Sequence, residues 1–534
     1  MRFKLFLIIA FLFISYPAWS ATYYVKTGGN DEAAGTSDET AWATLTRVMA
    51  TTGYDNIVTS GDTVYFRSQD TWTGASPVLS LTSGVTYDGS TYGSGIRATL
   101  TATSGDGTGF YGVVSGPASY VTIKGFEVKT TGAIVTSGID LGSRGDASYS
   151  NVTIDDCVVH DAGARGIYIG TINGSNYTVS NIIVKNSTVY NIGWGGIVVY
   201  PTWVRAGHKV DTVLIQNCTV HTTGLTDEGE GIYIKDDADN VTVEFCNLYN
   251  NWHGVHLETY EDSGIGTINN AVIRYNVIHD NIYAGFDTYN RGRIVTASVY
   301  GNIFYDNGKT SAARSANIMI NRTAGGHSTS TYNIYNNTLY TGAGTTSYAS
   351  HHGLLLGDGQ PDLGTGAGGT PTVNFYNNIV YSNKANAVPI RDVDSKLTGH
   401  GNNLIYNAIS TTSPHVNIGA TTYDRSGGAS DITNWEATAQ KTDPAFVGGT
   451  LPTGLSGTYG TNMVPNTDYF QLTVDSPAKD TGATLASYTG AINGAGLATP
   501  IVRPLGAAFD IGAYEYGTLA QTGGNIFSGV SMKG

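Results

Sequence analysis

Charge is scarce in this chain. Asp, Glu, Lys and Arg make up 13% of its 534 residues, against the ~25% usual in soluble domains. Cations are the scarcer sign, 28 Lys and Arg against 42 Asp and Glu, for a formal net charge of −14. That balance excludes a surface built to attract nucleic acid or an anionic membrane. It also repels polyanionic sugars unless a local basic patch or a bound cation intervenes. Cysteine is rarer still: Cys157, Cys218 and Cys246 are an odd, low count that excludes a disulfide scaffold. A second long apolar run is missing too. Phe3 to Ile14 is apolar but short for a bilayer, follows Arg2 and Lys4, and leads to Ala18-Trp19-Ser20, small residues flanking a cleavage point before Ala21. Residues 1–20 therefore read as a signal peptide. No membrane span is expected, and the expected location is secreted, extracellular or at the cell surface.

Glycine and tyrosine fill the gap, with 70 and 35 residues. Tyrosine suits strands and sugar-facing surfaces, glycine suits turns. The chain also repeats itself. Asn151-Val-Thr-Ile-Asp-Asp-Cys-Val-Val-His160 returns as Asn181 to Tyr190, Thr212 to His221, Asn240 to Tyr249 and Asn270 to His279, with weaker copies ending at Tyr305, Tyr340, Tyr381 and Tyr406. Each copy precedes a second strand, such as Gly166-Ile-Tyr-Ile169, Gly231-Ile-Tyr-Ile234 or Gly254-Val-His-Leu257. Short period-2 strands, broken by Gly and Asn at a period near 30, define an all-β solenoid. A propeller would need ~40–50 residues and four strands per blade. Two strands per repeat are evident, with room for a third, over about ten coils.

Two columns run through the repeats. Cys157, Ser187, Cys218, Cys246, Asn276, Asn302, Asn337, Asn378 and Asn403 are small or amide side chains at one turn, the composition of a buried ladder, and a disulfide between Cys218 and Cys246 on adjacent coils is open. His160, Tyr190, His221, Tyr249, His279, Tyr305, Tyr340, Tyr381 and Tyr406 form the second, which reads as an aromatic stack rather than a metal site. Residues 21–110 hold an N-terminal cap, with a short amphipathic helix over Ala41 to Gly53, and the first coils. Residues 111–410 are the regular coils, and 411–534 an irregular C-terminal cap with a Gly-rich tail.

The opening Tyr23-Tyr-Val-Lys-Thr-Gly-Gly-Asn-Asp31 with Ala41-Trp-Ala-Thr-Leu45, and the close Asp475-Ser-Pro-Ala-Lys-Asp480, Arg503-Pro504 and Asp510-Ile-Gly-Ala-Tyr-Glu515, resemble secreted bacterial proteins of the pectate-lyase-like superfamily. The resemblance implies a right-handed parallel β-helix with a polysaccharide as partner. It specifies the reaction poorly, because lyases, hydrolases, epimerases and inactive proteins share the fold.

In the second strand the residue between two inward apolar ones points outward. The outward column is then Asp140, Tyr168, Val198, Tyr233, His256, Asp287, Met319 and Leu355, with Tyr200, Lys235, Glu258 and Tyr289 two residues further on. Three consecutive coils thus concentrate Tyr233, Lys235, His256, Glu258, Asp287 and Tyr289. A lyase acting on uronates needs a base, for which Lys235 is the candidate, and a cation to neutralise the carboxylate, either Arg291 or Ca²⁺ held by Asp236, Asp237 and Asp239. A hydrolase needs two carboxylates, and Glu258 and Asp287 lie one coil apart. A protein that only binds glycans would use Tyr168, Tyr200, Tyr233 and Tyr289 as a sugar-facing surface. Lyase chemistry is the leading expectation and a monomer the expected assembly.

Overall fold

The computed structural model describes residues 20–516 except 50–56, 96, 106–110, 133–135, 143–146, 172–176, 202–207, 225–228, 260–265, 291–293, 310–314, 321–329, 344–350, 358–370, 386, 394, 396, 450, 452–454, 457–463, 466–468 and 486–505. The segment read as a signal peptide and the Gly-rich tail from 517 onward therefore lie outside the described residues.

Apolar alternation dictates the coil. In Tyr149–Asp155 the side chains of Val152 and Ile154 are fully buried while Thr153 and Asp155 are only partly so. The same pattern stacks coil upon coil, Val152 beside Ile182 and Ile154 beside Val184, then Val213 and Ile215. Successive coils contribute strands to three sheets whose pairings are parallel, apart from a terminal antiparallel pair of Val416–Ile418 with Thr421–Tyr423 in the third. The first sheet begins at Thr22–Val25 and ends at Leu397–Gly401; the second runs from Thr71–Ala75 to Leu404–Asn407; the third holds the Gly-Ile-Tyr-Ile strands. Among the described residues they contain 13, 12 and 13 strands. The stack exceeds the expected ten coils because residues 63–104, which lack the repeat motif, still form strands in register with it.

Each corner between the first and second sheets turns on one residue with positive φ, immediately before the ladder residue. Asn186, Asn217, Asn336, Asn377 and Asn402 have φ of 51–58° there. Asn visits this region readily, whereas bulkier residues pay about 1–2 kcal/mol. Phe245 and Tyr275 carry that cost at φ 53° and 57°, partly offset by stacking their rings 5.4 Å apart. Gly301 follows, where a Cβ would strike the Tyr275 ring at 2.7 Å.

Behind these corners the ladder forms as expected. Asn276 donates from its backbone N–H and its amide to Asn302 Oδ1, both at 3.0 Å, and Asn302, Asn337 and Asn378 repeat the pattern toward Asn403. Glu436 closes it, accepting from the Asn403 backbone at 2.8 Å and its amide at 2.9 Å. The cysteines are buried ladder members with free thiols, so no Cys218–Cys246 bond exists. Burial pushes the Cys157 thiol up to about 12. A second ladder, Asn251, Asn281, Asn307 and Asn317, lines the corner between the second and third sheets.

The aromatic column also forms. From His160 to Tyr305 successive rings lie 4.6–5.2 Å apart and within 13° of parallel.

At the N-terminal end the helix is shorter than its pattern predicts, Leu45–Val48, capped by Thr44. Trp42 lies outside it. Its backbone bridges Val25 and its buried ring stacks on Tyr23 at 4.6 Å. At the other end, the closing motifs do not simply plug the coil. They return along the outside of the second sheet, where Phe470 meets Tyr305 and Tyr340, and Ile511 meets Ile379 and Leu404. The corner amides hold them: Asn336 donates to the Asp510 carbonyl, Asn377 to that of Ala483 and Asn402 to that of Thr481.

Candidate functional site

The outward column of the third sheet has the register its pattern predicts. Asp140, Tyr168, Val198, Tyr233, His256, Asp287, Met319 and Leu355 are successive partners on neighbouring strands. Lys235, Glu258 and Tyr289 form the parallel row.

Its surroundings differ from expectation. Tyr168, Val198 and Tyr233 are buried together as an apolar patch outside the coil, flanked by Trp194 and Tyr200. Tyr168 is not a sugar-facing ring: it is fully buried, and its hydroxyl donates to the Tyr200 carbonyl at 2.7 Å. The Arg165 guanidinium covers its face at 4.6 Å. Further along, Met319 and Leu355 are buried with Ala284 and Ala316. Tyr200 and Tyr289 are half-buried. The open tyrosine-lined face is thus narrowed to its central coils.

There the polar groups converge in two clusters. In the first, Glu258 Oε2 accepts hydrogen bonds from the Tyr233 hydroxyl and from Lys235 Nζ, the latter at 3.0 Å. Lys235 also lies 5.1 Å from the Tyr200 ring centre and 5.5 Å from that of Tyr233. The Lys235 ammonium nitrogen is thus engaged by a buried carboxylate and two aromatic faces.

The second cluster is one the sequence pattern did not reveal. Asp287 Oδ2 lies 3.1 Å from His256 Nδ1 and 3.4 Å from His253 Nε2. Strict alternation would put residues three apart on opposite faces of a strand. His253 instead starts its strand, Gly254 turns the corner with no room for a Cβ (2.5 Å from the Gly285 carbonyl), and both imidazoles end on the outer side, ring centres 4.8 Å apart. Burial, then the neighbouring His256, hold the His253 imidazole well below its usual pKa, so it is neutral. Tyr283 packs edge-on against His253 at 5.1 Å, and Tyr233 lies 5.4 Å from His256.

The aspartates proposed for Ca²⁺ do not gather. Asp236 is buried at the turn after Lys235, Asp237 accepts from the Thr267 backbone at 3.1 Å, and Asp239 accepts from Asn269 and pairs with Lys209 at 3.1 Å. The oxygens of Asp237 and Asp239 serve backbone N–H groups, an amide and a lysine, so the trio does not fit a Ca²⁺ ion and no step is routed through one. Arg291 lies outside the described residues. Glu258 and Asp287 sit in separate clusters, each beside a basic side chain.

A family model described as a right handed beta helix region matches residues 83–259. The chain is a right-handed parallel β-helix. Solved structures with a similar course include a pectate lyase, at 15% identity and TM-score 0.42, covering 93% of this chain and 96% of that one. The A-module of a mannuronan C-5 epimerase from Azotobacter vinelandii aligns at 16% identity and TM-score 0.47, over 67% of this β-helix and 90% of its own length. A rhamnogalacturonan lyase aligns at 18% and 0.35, over 61% and 84%. No curated protein sequence matches the chain. At such identities these similarities speak to the fold alone, so the chemistry of this β-helix is argued from its own side chains.

Proposed function

We propose that this β-helix cleaves an acidic polysaccharide by β-elimination on the central coils of its third sheet, outside the cell. The observation that carries the reading is the Glu258 oxygen that holds both Tyr233 and Lys235, beside the apolar patch of Tyr168 and Val198. Elimination from a uronate needs a base for the C5 proton, a cation beside the carboxylate, and a donor for the oxygen leaving C4. The C5–H electron pair becomes the C4–C5 double bond, the C4–O bond breaks, and the departing oxygen takes a proton. Lys235, paired with Glu258, is the cation that counters the substrate carboxylate. Proton transfer falls to Tyr233 and its partner Glu258, an acid–base pair whose loss costs about 10²–10⁴-fold. Tyr200 and Tyr289 are the half-buried rings placed to contact sugar.

The test is the near-ultraviolet absorbance of the new conjugated double bond during incubation with a panel of uronate polymers. A rise that Tyr233→Phe and Lys235→Met each reduce by about 10²-fold or more supports the reading. A flat trace with every polymer sinks it. Release of reducing ends without that absorbance would favour hydrolysis by Glu258 and Asp287, and neither signal would leave a glycan-binding protein.

A further inference from the structure

The histidine pair on the third sheet has a geometry that proton transfer to sugar does not require. His253 and His256 are each about nine-tenths buried, and neither His253 nitrogen nor His256 Nδ1 has a hydrogen-bond partner. Polar groups left buried and unbonded are costly, so their burial points to a ligand. Each imidazole brings a nitrogen within 3.4 Å of the same carboxylate oxygen of Asp287 without a hydrogen bond to it.

The distances identify the ligand class. Bonds of about 2.0–2.1 Å to a tetrahedral ion place neighbouring donor atoms about 3.3–3.4 Å apart. The two His–Asp separations are 3.1 and 3.4 Å, and one donor atom from each of the three residues lies within 4.8 Å of the others. Among the described residues this is the one such grouping of His, Cys, Asp and Glu. Two imidazoles and a carboxylate suit a borderline divalent ion of the Zn²⁺ class rather than Ca²⁺, which prefers six or more oxygens.

We infer that His253, His256 and Asp287 bind a divalent transition-metal ion, with Zn²⁺ as the representative occupant and a coordination position left for water or a substrate oxygen. The Gly254 corner makes the site, because it brings His253 to the same side as His256. The inference is independent of the elimination reading, since binding is measurable in a protein with no activity.

The experiment uses the mature chain purified without a histidine tag, stripped with chelator and titrated with Zn²⁺ by calorimetry and with Co²⁺ by visible absorption. The expected result is one ion per chain, intense visible bands for tetrahedral Co²⁺, and a thermal midpoint that rises with free Zn²⁺. His253→Asn and Asp287→Asn should each weaken binding by more than the ~10–100-fold typical of losing an outer supporting partner. His279→Asn, in the aromatic column, should bind as the parent does. Unfolding curves without metal show which variants are folded, and the parent's stoichiometry and cobalt spectrum decide the matter even if a variant fails to fold. No Co²⁺ bands from the parent protein, or bands unchanged in folded His253→Asn, would overturn the inference.

Discussion

Histidines stand in two columns of this β-helix, and their neighbours separate them. In the aromatic column of the second sheet, His160 places one nitrogen 2.8 Å from Asp161 and the other 3.1 Å from Glu127, and His279 sits likewise between Asp280 at 2.6 Å and Asn247 at 3.1 Å. Each ring also lies flat against its neighbours. Those histidines are satisfied where they stand. On the third sheet His253 and His256 share one aspartate and lack hydrogen bonds on three nitrogens. A column that repeats its chemistry at every coil builds the scaffold; one that changes from Tyr233 to His256 to Asp287 can hold a site.

The scaffold side of that contrast breaks hardest at the Asn ladder. Asn302→Ala removes donors to the Ile273 carbonyl and Asn337, and the acceptor for two Asn276 N–H groups. With buried partners left unbonded at about 1–3 kcal/mol each, a loss of about 3–5 kcal/mol is expected as a lower urea midpoint. Acid comes next. Burial lowers His351, His352 and His415 to about 4. In the unfolded chain they take up protons as pH falls through about 6.5, but in the folded state only near about 4. The unfolded state therefore binds more protons between those values, and stability, complete above the upper one, declines as pH drops. His352→Asn should flatten the thermal midpoint between neutral and mildly acidic pH by the equivalent of about 2–3 kcal/mol.

Smaller effects sharpen the comparison. Tyr249→Leu, between His221 and His279 in the stack, should cost about 1–2 kcal/mol in a denaturant titration. Cys218→Ser should change stability by less than about 1 kcal/mol, because Ser187 already fills the same ladder position, donating to the Lys185 carbonyl at 2.8 Å. A larger loss would mean that ladder rungs are not interchangeable.

The repeat made much of this legible. Period-2 strands placed the outward column in its true register, and recurring Cys, Asn, His and Tyr marked the ladder and the stack, because stacking forces like residues into contact. What stayed hidden depends on single corners. His253 precedes the apolar pattern of Gly254-Val-His-Leu257 and carries no periodic signal, and Asn251 and Asn281 fall outside the repeat motif although they form a second ladder. Burial of Tyr168 was hidden because alternation tells inside from outside but not what covers the outside. The route of Phe470 and Ile511 along the second sheet was equally invisible, since contacts between distant segments leave no period.

The Asn ladder has a polarity. From Cys246 to Asn403 every rung's backbone N–H donates toward the C-terminal end and every Asn amide oxygen faces back, while each Asn amide sends one N–H forward and the other to a carbonyl of the preceding coil. The last rung therefore presents donors, and Glu436 meets them with a carboxylate. Growth of the rod by duplication of whole coils preserves this orientation anywhere inside the stack, but a break beyond Asn403 strands a row of aligned dipoles without its negative terminus. The molecule can change its length far more cheaply than its ending.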